Sequence, residues 1–177
     1  MTTRDIAAAM QRVEAILQRR PEAGLHDDAP ATAQWQSGTR VVAQHANGTQ
    51  LVSDMPTELG GSGDRVTPGW MFRAGLAACS ATSIAMAAAA QGIELAALEV
   101  RASSRSDTRG FLGVPDADGA PVPAGPRDLA LHVEIAAPGV AAERLRTLVE
   151  EALQRSPIPN VLPNPVPLAL RIDVNEA

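Results

Sequence analysis

GWMFRAGLAACSATSIAMAAAAQGIE, residues 69–94, is the stretch on which the fold of this chain turns. Thr67 before it is a good helix N-cap, Pro68 takes the first helical position, and Gly92 offers a left-handed stop. The spacing therefore predicts a helix over 68–91. Met71, Ala74, Leu76, Ala78, Ile84, Ala85 and Met86 leave almost no polar stripe along it. A helix that is apolar on nearly every side must be covered on nearly every side, so sheets are expected to wrap it, from more than one subunit. The segment between Arg73 and Gln91 falls short of the ~20 residues of a membrane span and is mostly Ala, Ser and Thr. It reads as a buried helix, with no membrane partner. It also holds the only cysteine of the chain, Cys79, and the question is whether that thiol is a reagent or a small apolar filler.

Upstream of the helix, ELGGSGDRVTPG, residues 58–69, is glycine-rich but lacks the Gly-Lys-Ser/Thr ending of a phosphate cradle, which argues against a nucleotide. Before it, strands are predicted at 32–37, 40–45 and 49–54, separated by Ser37-Gly38 and by the hairpin signal Asn47-Gly48. Residues 3–19 carry Ile6, Met10, Val13 and Leu17 on one helical stripe, behind a Thr2-Thr3-Arg4-Asp5 capping box. PEAGLHDDAPA, 21–31, follows as a linker. Residues 1–31 are thus expected to form an arm, and 32–177 the main domain.

Downstream of Gly92 the period changes to two. Leu98, Val100 and Ala102 alternate with polar residues, as do Leu129, Leu131, Val133 and Ile135, so both segments read as half-buried strands. Between them SDTRGFLG, 106–113, reads as a turn leading into the loop 114–126. Ala141, Leu145, Leu148, Val149, Ala152 and Leu153 follow helical spacing up to Ser156-Pro157, and Leu168, Leu170, Ile172 and Val174 predict a last strand. No strand-helix-strand rhythm repeats, so the class is α+β with antiparallel sheets.

Composition narrows the function. The chain has 177 residues, enough for one domain, with a formal charge of -5 and no basic run. Nucleic acid, whose binding needs clustered Lys and Arg, is not an expected partner. A single cysteine forms no internal disulfide, and the N-terminus lacks a long uncharged apolar run, so a cytoplasmic location is expected. His26, His45 and His132 are scattered on different segments, with Cys79 on a fourth, a pattern without metal-ligand spacing. No metal or cofactor is expected. There is no Gly-x-Ser-x-Gly elbow either, and Ser80 and Ser83 near Cys79 read as helix fillers.

A lone Cys in an apolar helix is commonly an inert small hydrophobe. A reactive thiolate needs a cation or a helix N-terminus beside it. Arg40, on an early strand, and Arg65, in the loop, are the cations that folding could bring near, whereas Arg73 lies six residues from Cys79 and points away from it.

MPTELGGSGDRVTPGWMFRAGLAACSATSIAMAA, residues 55–88, resembles the signature of the OsmC/Ohr family of osmotically inducible and organic-hydroperoxide resistance proteins, in which a glycine-rich loop, a Thr/Asn-Pro helix start and an Ala-Ala-Cys helix follow in this order. The resemblance extends over about 32–175. It implies an intertwined homodimer whose sheets enclose the two central helices, with the active thiol at the interface. It also implies that Cys79 is the peroxidatic cysteine, aided in the family by an Arg and a Glu and resolved by a second Cys in a Cys-Pro pair. Here that pair reads Ser156-Pro157, as in a branch of the family that this chain resembles. The place of the Glu is Gly69, with Glu58 as a nearby substitute, and the place of the Arg is Ser37, with Arg40 closest. Asp107 and Arg109 could pair at a pocket rim or merely form a solvated turn.

Two functions follow from different classes. In the first, Cys79, supported by Arg40 and Glu58, reduces organic hydroperoxides in a pocket formed by Trp70, Met71, Leu76 and Ser156, and an external thiol regenerates it. In the second, the dimer binds a small molecule or is structural, and Cys79 only packs. A third, an interaction protein working through the helix at 1–20, rests on that helix's stripe alone.

Overall fold

The computed structural model describes residues 2–175. The chain opens with helix α1 (Thr3–Arg19). Its capping box forms as the sequence implies: the Asp5 backbone N–H donates to the Thr2 hydroxyl at 3.3 Å, and the Thr2 N–H donates to the Asp5 carboxylate at 2.8 Å. Pro21–Gly24 makes a single 3-10 turn inside the predicted linker.

Strands β1 (Thr32–Ser37), β2 (Arg40–Gln44) and β3 (Gln50–Ser53) form an antiparallel meander in the order β1-β2-β3. The first turn is held by the Trp35 indole N–H, which donates to the Gly38 carbonyl at 2.9 Å. At the second, Gly48 takes φ 89°, a region only glycine enters freely, and the Asn47 side-chain oxygen accepts from the Thr49 N–H at 2.9 Å. The glycine-rich segment then folds back on the end of β3: the Asp54 N–H donates to the Val66 carbonyl at 3.1 Å. Gly61 is required there, because a Cβ would collide with the Met55 carbonyl.

Helix α2 (Pro68–Ala90) begins at Thr67, whose hydroxyl accepts from the Trp70 N–H, and Gly92 turns at φ 67° just beyond its C-cap, Gln91. At 23 residues and a mean hydropathy of 1.3 over its most apolar window, it is long and apolar enough to cross a membrane, which corrects the length argument made from the sequence. Helices in protein cores meet the same criteria, and α2 packs against α1, against strand β4 (Ala97–Arg105) and against helices α4 (Ala142–Gln154) and α5 (Pro157–Val161). β4 pairs with β5 (Arg127–Ala136) in a second antiparallel sheet, with Leu98 opposite Ile135 and Val100 opposite Val133, so the apolar residues share one face. The core lies where Ala88 of α2 meets Leu145 and Leu148 of α4, with Ile93, Leu95 and Ile135 closing around them.

Two local expectations are corrected. Residues 168–174 form no strand: Leu168 and Leu170 are 93% and 80% exposed, and the segment pairs with neither sheet of the chain. Residues 106–113 are more than a turn, since Asp107 caps a short helix α3 (Thr108–Leu112) that Gly113 ends in the left-handed conformation. Within one chain α2 is covered in part. Leu76, Ser80, Ile84, Ala88 and Ala89 are buried, while Trp70, Phe72 and Met86 remain exposed, and the β1-β2-β3 sheet makes no extensive contact with the helix.

Candidate functional site

Cys79 lies midway along α2 and is half-buried. Ser83, four residues on, lies one turn further along the same face. The chain passes from α4 into α5 at Ser156, which is fully buried and brings its hydroxyl to both. Cys79 Sγ is 3.3 Å from Ser156 Oγ, and Ser83 Oγ donates to Ser156 Oγ at 3.0 Å. Among the described residues these are the only partners of the Ser156 hydroxyl. Pro157 positions it by starting α5, and the Ser156 carbonyl accepts from the Asn160 N–H at 3.0 Å.

The sequence reading paired Cys79 with Ser156 through resemblance alone, and the two side chains do meet. It treated Ser80 and Ser83 alike, and the structure separates them. Ser80 Oγ donates back to the Leu76 carbonyl at 2.7 Å, the ordinary satisfaction of a buried helix serine, whereas Ser83 turns to Ser156. The available signal was the spacing of four from Cys79.

Arg40 and Glu58 form no hydrogen bond or ion pair with Cys79 among the described residues. Arg40 is held in a carboxylate network, donating to Asp54 at 3.1 Å, to Asp64 at 2.5 Å and to the Ser62 hydroxyl at 2.7 Å. Asp54 is almost fully buried and also accepts from the Thr39 hydroxyl at 2.5 Å, the Ser62 hydroxyl at 2.6 Å and the Met55 N–H at 2.8 Å. Those bonds, from Ser62 and Thr39 first, hold its carboxyl far below the usual range, and the Asp54 hydrogen bond in turn raises the Arg40 guanidinium. The network ties the glycine-rich loop to the meander. Glu58 is exposed and meets only the neighbouring Thr57 hydroxyl, at 3.3 Å.

Of the expected pocket residues, Trp70 is exposed, Met71 is half-buried, and Leu76 is buried in the core, where it offers no ligand surface. Arg73 reaches Ser104 on β4 at 3.4 Å, consistent with its pointing away from Cys79. Asp107 and Arg109 do pair, at 2.6 Å, and the Arg109 hydrogen bond lowers the Asp107 carboxyl to about 2. No group of three or more His, Cys, Asp or Glu that could hold a metal occurs among the described residues.

An exposed-edged α+β scaffold around a central helix that carries one cysteine defines a recognisable class. The family described as OsmC-like protein matches residues 61–171, and the chain belongs to it. A crystal structure from Legionella pneumophila, described as an organic hydroperoxide resistance protein OsmC, is 25% identical, with a TM-score of 0.57, over 77% of this chain and 91% of that one. An organic hydroperoxide resistance protein from Elizabethkingia anophelis is also 25% identical, with a TM-score of 0.52, over 77% of this chain and 89% of that one. An OsmC-like protein from Mycoplasma pneumoniae, 21% identical with a TM-score of 0.64 over 80% of this chain and 91% of that one, shares the fold. Comparison with curated protein sequences gives no match.

Proposed function

We propose that this OsmC-like protein is a stress-response homodimer in which Cys79 reduces organic hydroperoxides with one cysteine and an external thiol. The observation that carries the reading is the contact between Cys79 Sγ and the buried Ser156 Oγ at 3.3 Å. A hydroxyl at that distance supplies a hydrogen bond to a thiolate. The same contact sits where the resemblance puts a resolving cysteine. The Cys79 thiolate attacks the distal peroxide oxygen, the O–O bond breaks, and the alkoxide takes a proton and leaves as the alcohol. Sulfur is oxidised to the sulfenic acid. With no second cysteine in the chain, an external thiol attacks that sulfur, water leaves, and a second thiol cleaves the mixed disulfide. Excess peroxide instead carries sulfur on to the sulfinic acid.

Trp70 and Met71, near the start of the same helix, are on this proposal the apolar residues that would favour an organic over an inorganic peroxide. In this reading residues 1–31 are an arm added to the domain at 32–177, and the protein works in the cytoplasm, where external thiols are plentiful. The half-covered α2 and the stand-off of the β1-β2-β3 sheet support the homodimer, since a second copy would cover both.

A second reading is favoured by Arg40. Arg40 is engaged by Asp54 and Asp64, Glu58 meets the Thr57 hydroxyl, and among the described residues neither forms a hydrogen bond or ion pair with Cys79. On that reading the dimer binds a small molecule or is structural, and Cys79 packs. Intact mass after treatment with cumene hydroperoxide and a sulfenic-acid trap separates the two. The first reading expects oxygen or trap addition to the parent protein but not to Cys79→Ala, at a rate far above that of a free thiol. An unmodified, folded parent protein would end it.

A further inference from the structure

We propose that Ser83 is the outer member of a two-hydroxyl relay that carries the Cys79 proton to a cavity one turn further along α2, and that it positions the Ser156 hydroxyl for the sulfur. The inference rests on Cys79 acting as a thiolate, as in the function proposed above.

The geometry has three parts. Ser156 is fully buried and has one proton and two neighbours, Cys79 Sγ at 3.3 Å and Ser83 Oγ at 3.0 Å. It can donate to only one of them at a time. When Ser83 donates to Ser156, the Ser156 proton is left to point at the sulfur. Ser83 also lines a cavity of about 560 Å³ between α1, α2 and the start of α5, together with Met10, Met86, Gln91, Arg155 and Pro157. Cys79 and Ser156 do not line it.

The thiol form reverses the chain. Cys79 S–H donates to Ser156, Ser156 donates to Ser83, and Ser83 donates outward to the cavity. On ionisation the sulfur proton passes to Ser156 Oγ, the Ser156 proton passes to Ser83 Oγ, and the Ser83 proton leaves to solvent through the cavity. One proton is lost, no heavy atom moves, and the final hydroxyl orientation is the one in which Ser83 donates to Ser156. Each hydroxyl is thus left pointing at the new negative charge, so the chain both conducts the proton and stabilises the thiolate. The proton leaves by the α1 side, while peroxide need only reach the exposed side of Cys79.

The test is the rate of Cys79 alkylation by iodoacetamide at one neutral pH, followed by intact mass, for the parent protein, Ser83→Ala, Ser83→Thr, Ser156→Ala and the double alanine variant. Ser83→Ala is expected to slow alkylation about fivefold, the worth of roughly one hydrogen bond, and Ser83→Thr, which keeps a hydroxyl, to restore most of it. Because Ser83 acts only through Ser156, the double variant should be no slower than Ser156→Ala. An unchanged rate in Ser83→Ala, or effects that multiply in the double variant, would overturn the relay. If Ser156→Ala does not fold, the comparison of Ser83→Ala with Ser83→Thr decides alone. Alkylation needs no peroxide, so a relay that passes this test in a protein inert to cumene hydroperoxide would remove the peroxidase reading and leave the relay standing.

Discussion

Ser156 is the residue at which this chain's chemistry is concentrated, because it is the side chain that closes on Cys79 from outside α2. The 3.3 Å contact makes a direct prediction. In Ser156→Cys, a sulfur takes the place of the hydroxyl that meets Cys79 Sγ. One equivalent of cumene hydroperoxide should then convert Cys79 to its sulfenic acid, which the introduced thiol attacks with loss of water. Intact mass should fall by about 2 Da for the disulfide, with no trap adduct. Oxygen addition without that loss would show that the two positions do not meet in solution. Ser83 was legible only as a serine one turn from the cysteine, since which of two similar serines turns inward depends on what α5 places opposite them.

The elements that frame the site are held by different forces. α2 and α4 meet through apolar packing at Ala88, Leu145 and Leu148, while the glycine-rich loop is held by ionic hydrogen bonds from Arg40, Thr39 and Ser62 to Asp54. The loop is therefore the acid-sensitive element. Asp54 and Asp64, through Ser62 first, and Asp107, through Arg109, all titrate below the ordinary carboxyl. A carboxyl lowered in the folded state contributes stability above its unfolded value, about 3.9, and that stability is lost as pH falls through the folded value. The urea midpoint should accordingly hold between pH 7 and 5 and drop between about pH 4 and 2. Asp54→Asn should start from a lower midpoint and fall less over the same interval. An equal fall in both proteins would place the acid-sensitive contacts elsewhere.

At the scale of the molecule, one chain leaves much apolar surface uncovered. Trp35 is 71% exposed, Trp70 49%, and Leu168, Leu170, Ile172 and Val174 in the tail are exposed too. The β1-β2-β3 meander is two-sided, and only Val42 and Ser53 within its strands are buried. Such surfaces are what the proposed homodimer would cover. Light scattering should give twice the 18.4 kDa of the chain. With Trp70→Phe, the remaining Trp35 emission should be blue-shifted relative to urea-unfolded protein. A monomeric mass with Trp35 emitting as in water would refute the dimer.

The sequence by itself determined the three long helices α1, α2 and α4, the two hairpin turns, the pairing faces of β4 and β5 and the identity of the cysteine. Each of these follows from local periodicity, a cap or a glycine that needs positive φ, and these act within a few residues. It misjudged the tail at 168–174, because alternation records which face is apolar while a strand exists only where another edge accepts its backbone hydrogen bonds. It also left Arg40 and Glu58 as candidates for the thiol, since charge type is visible in a sequence and partnership is not. Only the tertiary structure decided that Arg40 is held by Asp54 and Asp64 and that Ser156 meets the sulfur and Ser83 meets Ser156. Those contacts span from 14 to 77 residues of chain, and their geometry is set by packing that no local pattern encodes.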